Sequence, residues 1–473
     1  MSSRSRRRQT RRVPFLVVCP QGRSRPRAPR LPGRIPAAGL LVAGGTLLLL
    51  LPLLLGAGCS RAPKVEPLTS EQRTLAEESF DYVWTTIRDK HWDPELGGVD
   101  WDGARAELEP RLTEARTQAD VRAVMRDLID RLGKSHFGII PRDAYDDLRA
   151  PDAAKGDGTA GIDVRVVGVR TLVTRVHPGS GGEEVGVRPS WEVLRIGERD
   201  IRDLVKKLIG EIENNPSKRY RIHGAVAARL RGEIGESRLV TFLDDQEEQI
   251  TLEVPLGEPR GHKIQFGNLP AMHTWIDTMR IEDGIGYVAF NAFFDPARVN
   301  TTFDAAIRSW MDAPGIIIDL RGNPGGIGAM AMGMAGWFVS EKGMHLGTMT
   351  TRASELKFIV SPRPQTYDGP VAVLIDGLSA STAEILAGGL KDIGRAQLFG
   401  DTTAGAALPS QIERLPNGDG FQFAVANYVS QGGQILEGQG VAPHVPVEPS
   451  RTRLLAGADP ILSSAIAWIR QTH

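Results

Sequence analysis

The sequence predicts a multidomain α/β protein with a helical lead-in, a β-rich middle and an α/β core. Three observations predict it. Residues 69–134 carry apolar side chains at helical spacing. Residues from about 157 to 258 break into short strand-like runs separated by Gly and Pro. From about residue 262 onward, continuous β-branched runs alternate with helical segments. That last pattern implies a largely parallel sheet, whose strands are buried on both faces. At 473 residues the chain is long enough for several domains and a sizeable core.

Formal net charge is zero but unevenly spread. Residues 1–58 hold eleven Arg and no acid, so the rest of the chain sets 46 basic residues against 57 acidic ones. An acidic body lacks the basic footprint of a nucleic-acid binder, and no nucleic-acid partner is expected. Cys19 and Cys59 both precede the body, which therefore has no disulfide framework and no cysteine metal site. The nine histidines form no His-x-x-x-His or His-Glu-x-x-His pair.

Residues 1–34 are Arg- and Pro-rich without periodicity and read as disordered; residues 35–58 are uncharged and Leu-rich. A basic stretch, an apolar stretch and small residues in that order describe an export signal. Its end, Leu55-Gly56-Ala57-Gly58-Cys59-Ser60, resembles a bacterial lipoprotein signal, in which Cys59 becomes the lipidated first residue. Gly56 departs from the aliphatic residue usual there. The alternative is an uncleaved anchor, since about 20 apolar residues span a bilayer. Either way the arginines stay cytoplasmic, and the body is exported to the bacterial cell envelope, tethered to the membrane.

In the lead-in, Thr69 with Gln72 fits a capping box, and Ala76, Phe80, Val83, Trp84 and Ile87 share one helical face. A second helix carries Val121, Val124, Met125, Leu128 and Leu132, and a loop is expected between the two. In the middle, strands are expected at Ile162–Val167 and Leu172–Val176, a helix over 198–213, and a polar insertion over 214–237. The core shows a strand at Ile285–Phe290, a helix at Val299–Met311, and a strand ending in Asp319-Leu-Arg-Gly-Asn-Pro-Gly-Gly326. The strand Val371–Ile375 then runs through a turn of small residues into a helix from about Ala383.

That last turn carries Ser379, Ser381 and Thr382. A strand-to-helix turn lifts a side chain above the sheet edge and aims free helix N–H groups at what it meets, which suits a serine nucleophile. Ser381 also suits a plain helix N-cap, with Ser379 able to take over that duty. The glycine loop at 322–326 lacks dinucleotide spacing and has no Walker lysine after it. No Gly-x-Ser-x-Gly elbow is present, and Ser354-Glu-Leu-Lys357 lacks the other β-lactamase elements.

The Ser379-Ala-Ser-Thr-Ala-Glu384 turn, the Asp319–Gly326 loop and Glu437-Gly-Gln-Gly-Val-Ala-Pro443 occur in the order found in the C-terminal-processing, tail-specific and tricorn-type serine peptidases. The chain resembles that family over roughly residues 70–450. The resemblance implies a crotonase/ClpP-like α/β core at 262–450, a helical subdomain at 59–145, a β-rich PDZ-like domain at 155–258 and a C-terminal helix at 451–473. It implies Ser381 as nucleophile, with backbone N–H groups of Thr382 and of Gly325 or Gly326 stabilising the oxyanion. The processing branch uses a lysine in a Thr-x-Gly-Lys segment, but here that run reads Thr403-Ala-Gly-Ala406, and alanine takes no proton. The tricorn-like branch uses a histidine beside a serine ahead of the PDZ-like region. His136 next to Ser135 fits, with Glu437 orienting the imidazolium and Asp401 or Glu413 as competitors. The PDZ-like loop Gly161-Ile162-Asp163-Val164 would hold a peptide C-terminus through backbone N–H groups. No metal or organic cofactor is implied. The substrate is a polypeptide; the competing reading is a catalytically inactive PDZ-bearing scaffold on the same core, like retinoid-binding relatives.

Overall fold

Thr69 and Gln72 do form the expected capping box: the Thr69 hydroxyl accepts from Gln72 N at 3.2 Å and Gln72 Oε1 accepts from Thr69 N at 2.9 Å. In this computed structural model residues 67–142, 157–210, 216–265 and 271–472 are described. The basic arm, the apolar segment after it and Cys59, on which the expected export signal falls, lie outside them. Among the described residues no helix is long and apolar enough to cross a membrane.

Helix α1 (Ser70–Lys90) buries the predicted stripe from Ala76 to Ile87. The expected loop after it contains a further helix, α2 (Trp101–Glu114). Gly103 and Pro110 interrupt its pattern in the sequence, but Trp101, Ala104, Leu108 and Leu112 still form a buried face. Two indoles lock the pair: Trp84 Nε1 donates to Trp101 O at 3.1 Å and Trp101 Nε1 to Trp84 O at 3.0 Å. Helix α3 (Gln118–Asp130) closes the bundle. These helices share their core with Ile139, Leu415, Phe421 and Phe423. Strand β1 (Gly138–Ile140) therefore leaves the bundle and pairs antiparallel with β15 (Gly420–Ala424), which pairs in turn with β14 (Ser410–Arg414).

The middle region is an antiparallel sheet in the order β2 (Ile162–Val167), β3 (Arg170–Val176), β4 (Glu192–Ile196), β5 (Ser237–Leu243), β6 (Gln249–Pro255). Two helices cover it. The first, α4 (Ile201–Gly210), is shorter than expected at its start. The second, α5 (Pro216–Ala227), lies within the stretch expected to be a polar insertion. Its Ile222 and Val226, one turn apart, enter the sheet's core beside Val164, Val240 and Phe242, so a short apolar face hides in a polar run.

The core sheet has six strands in the order β7 (Ile276–Arg280), β8 (Gly286–Phe290), β9 (Ile316–Asp319), β12 (Val371–Ile375), β13 (Gln397–Gly400), β17 (Val445–Pro446). All neighbours are parallel except the edge pair β7–β8. The continuous apolar run of β9 has the predicted cause. Ile316 and Ile318 face one layer, with α6 (Pro296–Ser309), α7 (Gly328–Ala335) and α8 (Thr382–Asp392); Ile317 faces the other, with Ile461, Ala465 and Ile469 of α9 (Pro460–Thr472). Each such fully buried side chain contributes about 2 kcal/mol. A second antiparallel sheet, β11 (Glu355–Ile359), β10 (His345–Thr351) and β16 (Ala426–Ser430), flanks the core and was not expected from the sequence.

Candidate active site

Strand β12 ends at Ile375, and the chain then turns over Asp376–Ala380 before α8 begins at Thr382. The turn is fixed from below. Ser379 Oγ accepts from Asp376 N at 3.0 Å and donates to Leu320 O at 2.8 Å. This corrects one expectation: Ser379 is buried in the turn and does not cap the helix. Ser381 itself holds the N-cap position, at φ 54°, ψ −119°. A non-glycine residue rarely takes positive φ, and the strain is held only where surrounding structure over-determines it. Here Ser381 N is shared between Ala406 O at 2.8 Å and Glu384 Oε2 at 2.9 Å. The side chain is half-buried.

The glycine loop packs directly on this turn. Asn323, fully buried, donates to Phe290 O, accepts from Gly325 N at 2.9 Å and receives Ala380 N on its own carbonyl at 2.9 Å. Thr382 Oγ1 donates to Gly326 O at 2.7 Å. Of the three expected oxyanion donors, Gly325 is therefore excluded, because its N–H is already spent on Asn323. The N–H groups of Thr382 and Gly326 have no acceptor among the described residues and stand on adjoining segments. Gly325 must be glycine: at φ 94°, a Cβ would lie 2.7 Å from Ala380 O, Ser381 Cβ and Thr382 N. Gly325→Ala is expected to cost about 3 kcal/mol in denaturant unfolding, from clash and left-handed strain together, and to remove activity even where it folds.

The start of the loop is clamped by charge. Arg321 pairs with Asp319 at 2.6 Å and with Asp459 at 2.8 Å, and Tyr287 donates to Asp319 at 2.7 Å. These partners hold the buried Asp319 carboxyl far below the usual carboxylate range. Arg165 of β2 reaches Asp376 at 2.6 Å, and Asp376 accepts from Gly322 N at 2.9 Å.

His136 comes from the hinge between α3 and β1, and it too has positive φ, 59°. The pairing of β1 with β15 fixes this hinge against the core, as does Arg122, which grips Asp419 at 2.9 and 2.8 Å. Ser135 lies between two groups. Its N donates to Glu437 Oε1 at 2.6 Å, its Oγ donates to Glu437 Oε2 at 2.7 Å, and the same Oγ is 2.7 Å from His136 Nδ1. A hydroxyl has one proton. With that proton given to Glu437, the hydroxyl accepts from Nδ1–H, and this network leaves Nε2 as the bare nitrogen. Burial pushes the His136 pKa down to about 4, so the ring is neutral at pH 7. Burial pushes the Glu437 carboxyl up, against the bonds from Ser135 and Ala407.

One loop joins the two groups of residues. Ala406 O receives Ser381 N, while the next residue donates its N–H to Glu437 Oε2 at 3.3 Å. The competitors for the acid's place lie elsewhere: Glu413 binds Tyr82 and Lys90, and Asp401 follows β13 at the edge of a separate cavity. Lys391 donates to Ala442 O at 2.7 Å, on the flank of α8. Among the described residues no cluster could hold a metal ion. In the middle region Gly161 N donates to Thr159 Oγ1 at 3.2 Å, while Ile162, Asp163 and Val164 begin the edge strand β2. Asp163 also meets His177 Nε2 at 3.0 Å.

Glu384 was overlooked as a site residue. It is fully buried and accepts from Thr403 Oγ1 (2.6 Å), Gly405 N (2.8 Å), Ala406 N (3.0 Å) and Ser381 N (2.9 Å). Burial pushes it up to about 7 despite these donors. The signal was present as the Ser381-x-x-Glu384 spacing of a helix start.

A half-buried serine at positive φ on a strand-to-helix turn, beside N–H groups without an acceptor and tied through one loop to an imidazole–carboxylate pair, is an arrangement suited to serine-type hydrolysis. Residues 284–447 match peptidase family S41, and residues 73–130 match the tricorn protease C1 domain. These matches support the C-terminal-processing and tricorn-type serine peptidase family, and with it a serine-type peptidase. It is 24% identical over 388 residues to the carboxyl-terminal-processing protease of Picosynechococcus sp., covering 80% of this chain and 84% of that protein. It is 24% identical over 398 residues to the chloroplastic carboxyl-terminal-processing peptidase 3 of Arabidopsis thaliana, covering 82% and 70%. Among solved structures, the photosystem II D1 C-terminal processing protease superposes with TM-score 0.52 at 20% identity, over 81% of this chain and 94% of that one. Mature CPAF complexed with lactacystin gives TM-score 0.57 at 14% identity, over 85% and 98%. These likenesses extend the shared fold over most of the described residues.

Proposed function

We propose that this peptidase is an exported, membrane-tethered endopeptidase that cleaves polypeptides through an acyl-enzyme on Ser381, with His136 as general base. In this reading residues 1–58 direct export, Cys59 carries the lipid, 59–145 form the helical subdomain, 155–258 a PDZ-like domain and 262–450 the catalytic core, with a helix at 451–473. His136 Nε2 takes the Ser381 proton as Oγ attacks the scissile carbonyl; the oxyanion falls to the N–H groups of Thr382 and Gly326. The C–N bond breaks, the imidazolium returns its proton to the leaving amine, and water repeats the sequence on the ester. Ser135 and Glu437 hold the ring's tautomer and stabilise its charge. Gly161–Val164 would receive the substrate's C-terminus.

The observation that carries this reading is the Glu437–Ser135–His136 chain, bound to the same 406–407 segment that holds the Ser381 amide. Incubating wild type and Ser381→Ala with a denatured protein, followed by mass spectrometry of fragments, tests it. Wild type should produce internal cleavages that the variant lacks; identical fragment sets, or none, refute it. The pH profile adds a second check. Because burial lowers the His136 pKa from 6.5 to about 4, its base form persists through mildly acid pH, and its contribution to kcat/KM is expected to fall only around pH 4. In Glu437→Gln the imidazolium loses its negative partner, and kcat is expected to drop by about 10²- to 10⁴-fold with KM little changed.

A further inference from the structure

The loop that follows α1 reads His91-Trp92-Asp93-Pro94, and its rings reach the hinge that carries His136. The His91 imidazole stacks on Trp92 with ring centroids 3.8 Å apart, and on Phe137, the residue next to the base, at 5.9 Å and 21°. Trp92 lies 6.5 Å from the Phe137 ring as well. His91 is 3% exposed, and its Nε2 has no hydrogen-bond partner among the described residues. Burial lowers its pKa against the bond to Asp93 O, so at pH 7 it stacks as a neutral plate. Asp93 braces the loop from within, accepting Glu95 N at 3.0 Å and Gly97 N at 2.8 Å. The core grips it from outside. Arg352, on the turn between β10 and β11, donates through Nε to His91 O and through Nη2 to Arg88 O, both at 3.0 Å. These carbonyls end α1, where a helix leaves acceptors unpaired and favours a cation. Thr351 shapes the turn by accepting Ser354 N on its hydroxyl at 3.0 Å.

We infer that the contacts running from Arg352 through His91 and Trp92 to Phe137 are a positioning device for the base, holding the 135–138 hinge at the angle from which the His136 imidazole serves Ser381. This rests on His136 being the general base. The hinge needs such a hold. His136 sits at φ 59°, a conformation that persists in a non-glycine residue only where the surroundings over-determine it. Ser135 is tied to Glu437 before it, and the β1 ladder begins at Gly138 after it. Phe137 stands between these two anchors, and its ring meets the stack. The core that carries Ser381 thus holds the helical lead-in at Arg352, and the lead-in's loop holds the base. A misplacement of about 1 Å in such an arrangement costs on the order of 10²-fold in rate.

The test uses the full chain and a fluorophosphonate, following both the rate and the final stoichiometry of the Ser381 adduct. Arg352→Ala should label about tenfold more slowly than wild type yet reach the same stoichiometry. A merely structural role would lower the stoichiometry and leave the rate of the surviving fraction alone. Arg352→Lys, a point donor in place of a fork, should recover part of the rate. Phe137→Leu, which keeps the apolar volume and loses the stack, should slow labelling as Arg352→Ala does. In a His136→Ala background, Arg352→Ala should slow labelling no further, because the contacts act only through the imidazole. If Arg352→Ala does not fold, Trp92→Leu takes its place, with melting temperature measured alongside. A wild-type rate in the folded variants, a lowered stoichiometry at unchanged rate, or a full further slowing in the His136→Ala background overturns the inference and leaves the peptidase intact. Labelling of His136→Ala as fast as wild type, or no label on Ser381 in wild type, overturns the reading of the site and this inference with it.

Discussion

Ser381→Ala is expected to lower kcat by at least about 10⁴-fold while leaving the fold unchanged. The bonds of the Ser381 amide to Ala406 O and Glu384 remain in the variant, so the turn keeps its anchors. Loss of chemistry without loss of stability separates a nucleophile from an N-cap: a cap removed costs about 1 kcal/mol and no activity of this order. Denaturant melts and single-turnover assays on the same preparations would show which pattern holds. A variant that is destabilised yet still cleaves would remove Ser381 from the reaction.

The second large effect belongs to Glu384. Each carboxylate oxygen accepts two bonds, and the Nε2 of a glutamine accepts none. Glu384→Gln thus strands two buried donors on the 403–406 loop or at Ser381, at a cost of about 3 kcal/mol. Because this loop also carries Ala407 N to Glu437, kcat should fall by about 10²-fold with the nucleophile and base still present. The pH dependence has a definite sign. With its folded pKa raised from 4.5 to about 7, Glu384 binds its proton more tightly in the native state. Its stabilising contribution is full below about pH 4.5 and is lost as pH rises through 7. Glu384→Gln should flatten that slope in urea titrations across this window; a slope unchanged in the variant would assign it to another group.

Much of the positioning scaffold was legible because it follows from periodicity. The two-faced burial of Ile316–Ile318 gives a continuous apolar run, and the capped face of α1 gives a helical one. The antiparallel strands β10, β11 and β14 were not legible. Their burial is partial and irregular, as in Ser410–Arg414, where half-exposed residues supply no clean alternation. Helix α2 was hidden by Gly103 and Pro110. At the site, the nucleophile turn and the glycine loop could be read from local sequence, since each is a single stretch with its own turn chemistry. The pairing of Ser135 and His136 with Glu437 is 302 positions long-range and rests on β1 joining β15, which no local pattern encodes. The exclusion of Gly325 depended on where the Asn323 side chain points, which is a matter of packing.

The account stands most directly on the Ser381–His136 pair, and fluorophosphonate adduct mapping of wild type against His136→Ala addresses it in one measurement. The prediction is a single adduct on Ser381 in wild type, with its formation slowed by orders of magnitude once the imidazole is gone. An adduct that forms equally fast without His136, or that maps to a different residue, would contradict the pairing of these two side chains.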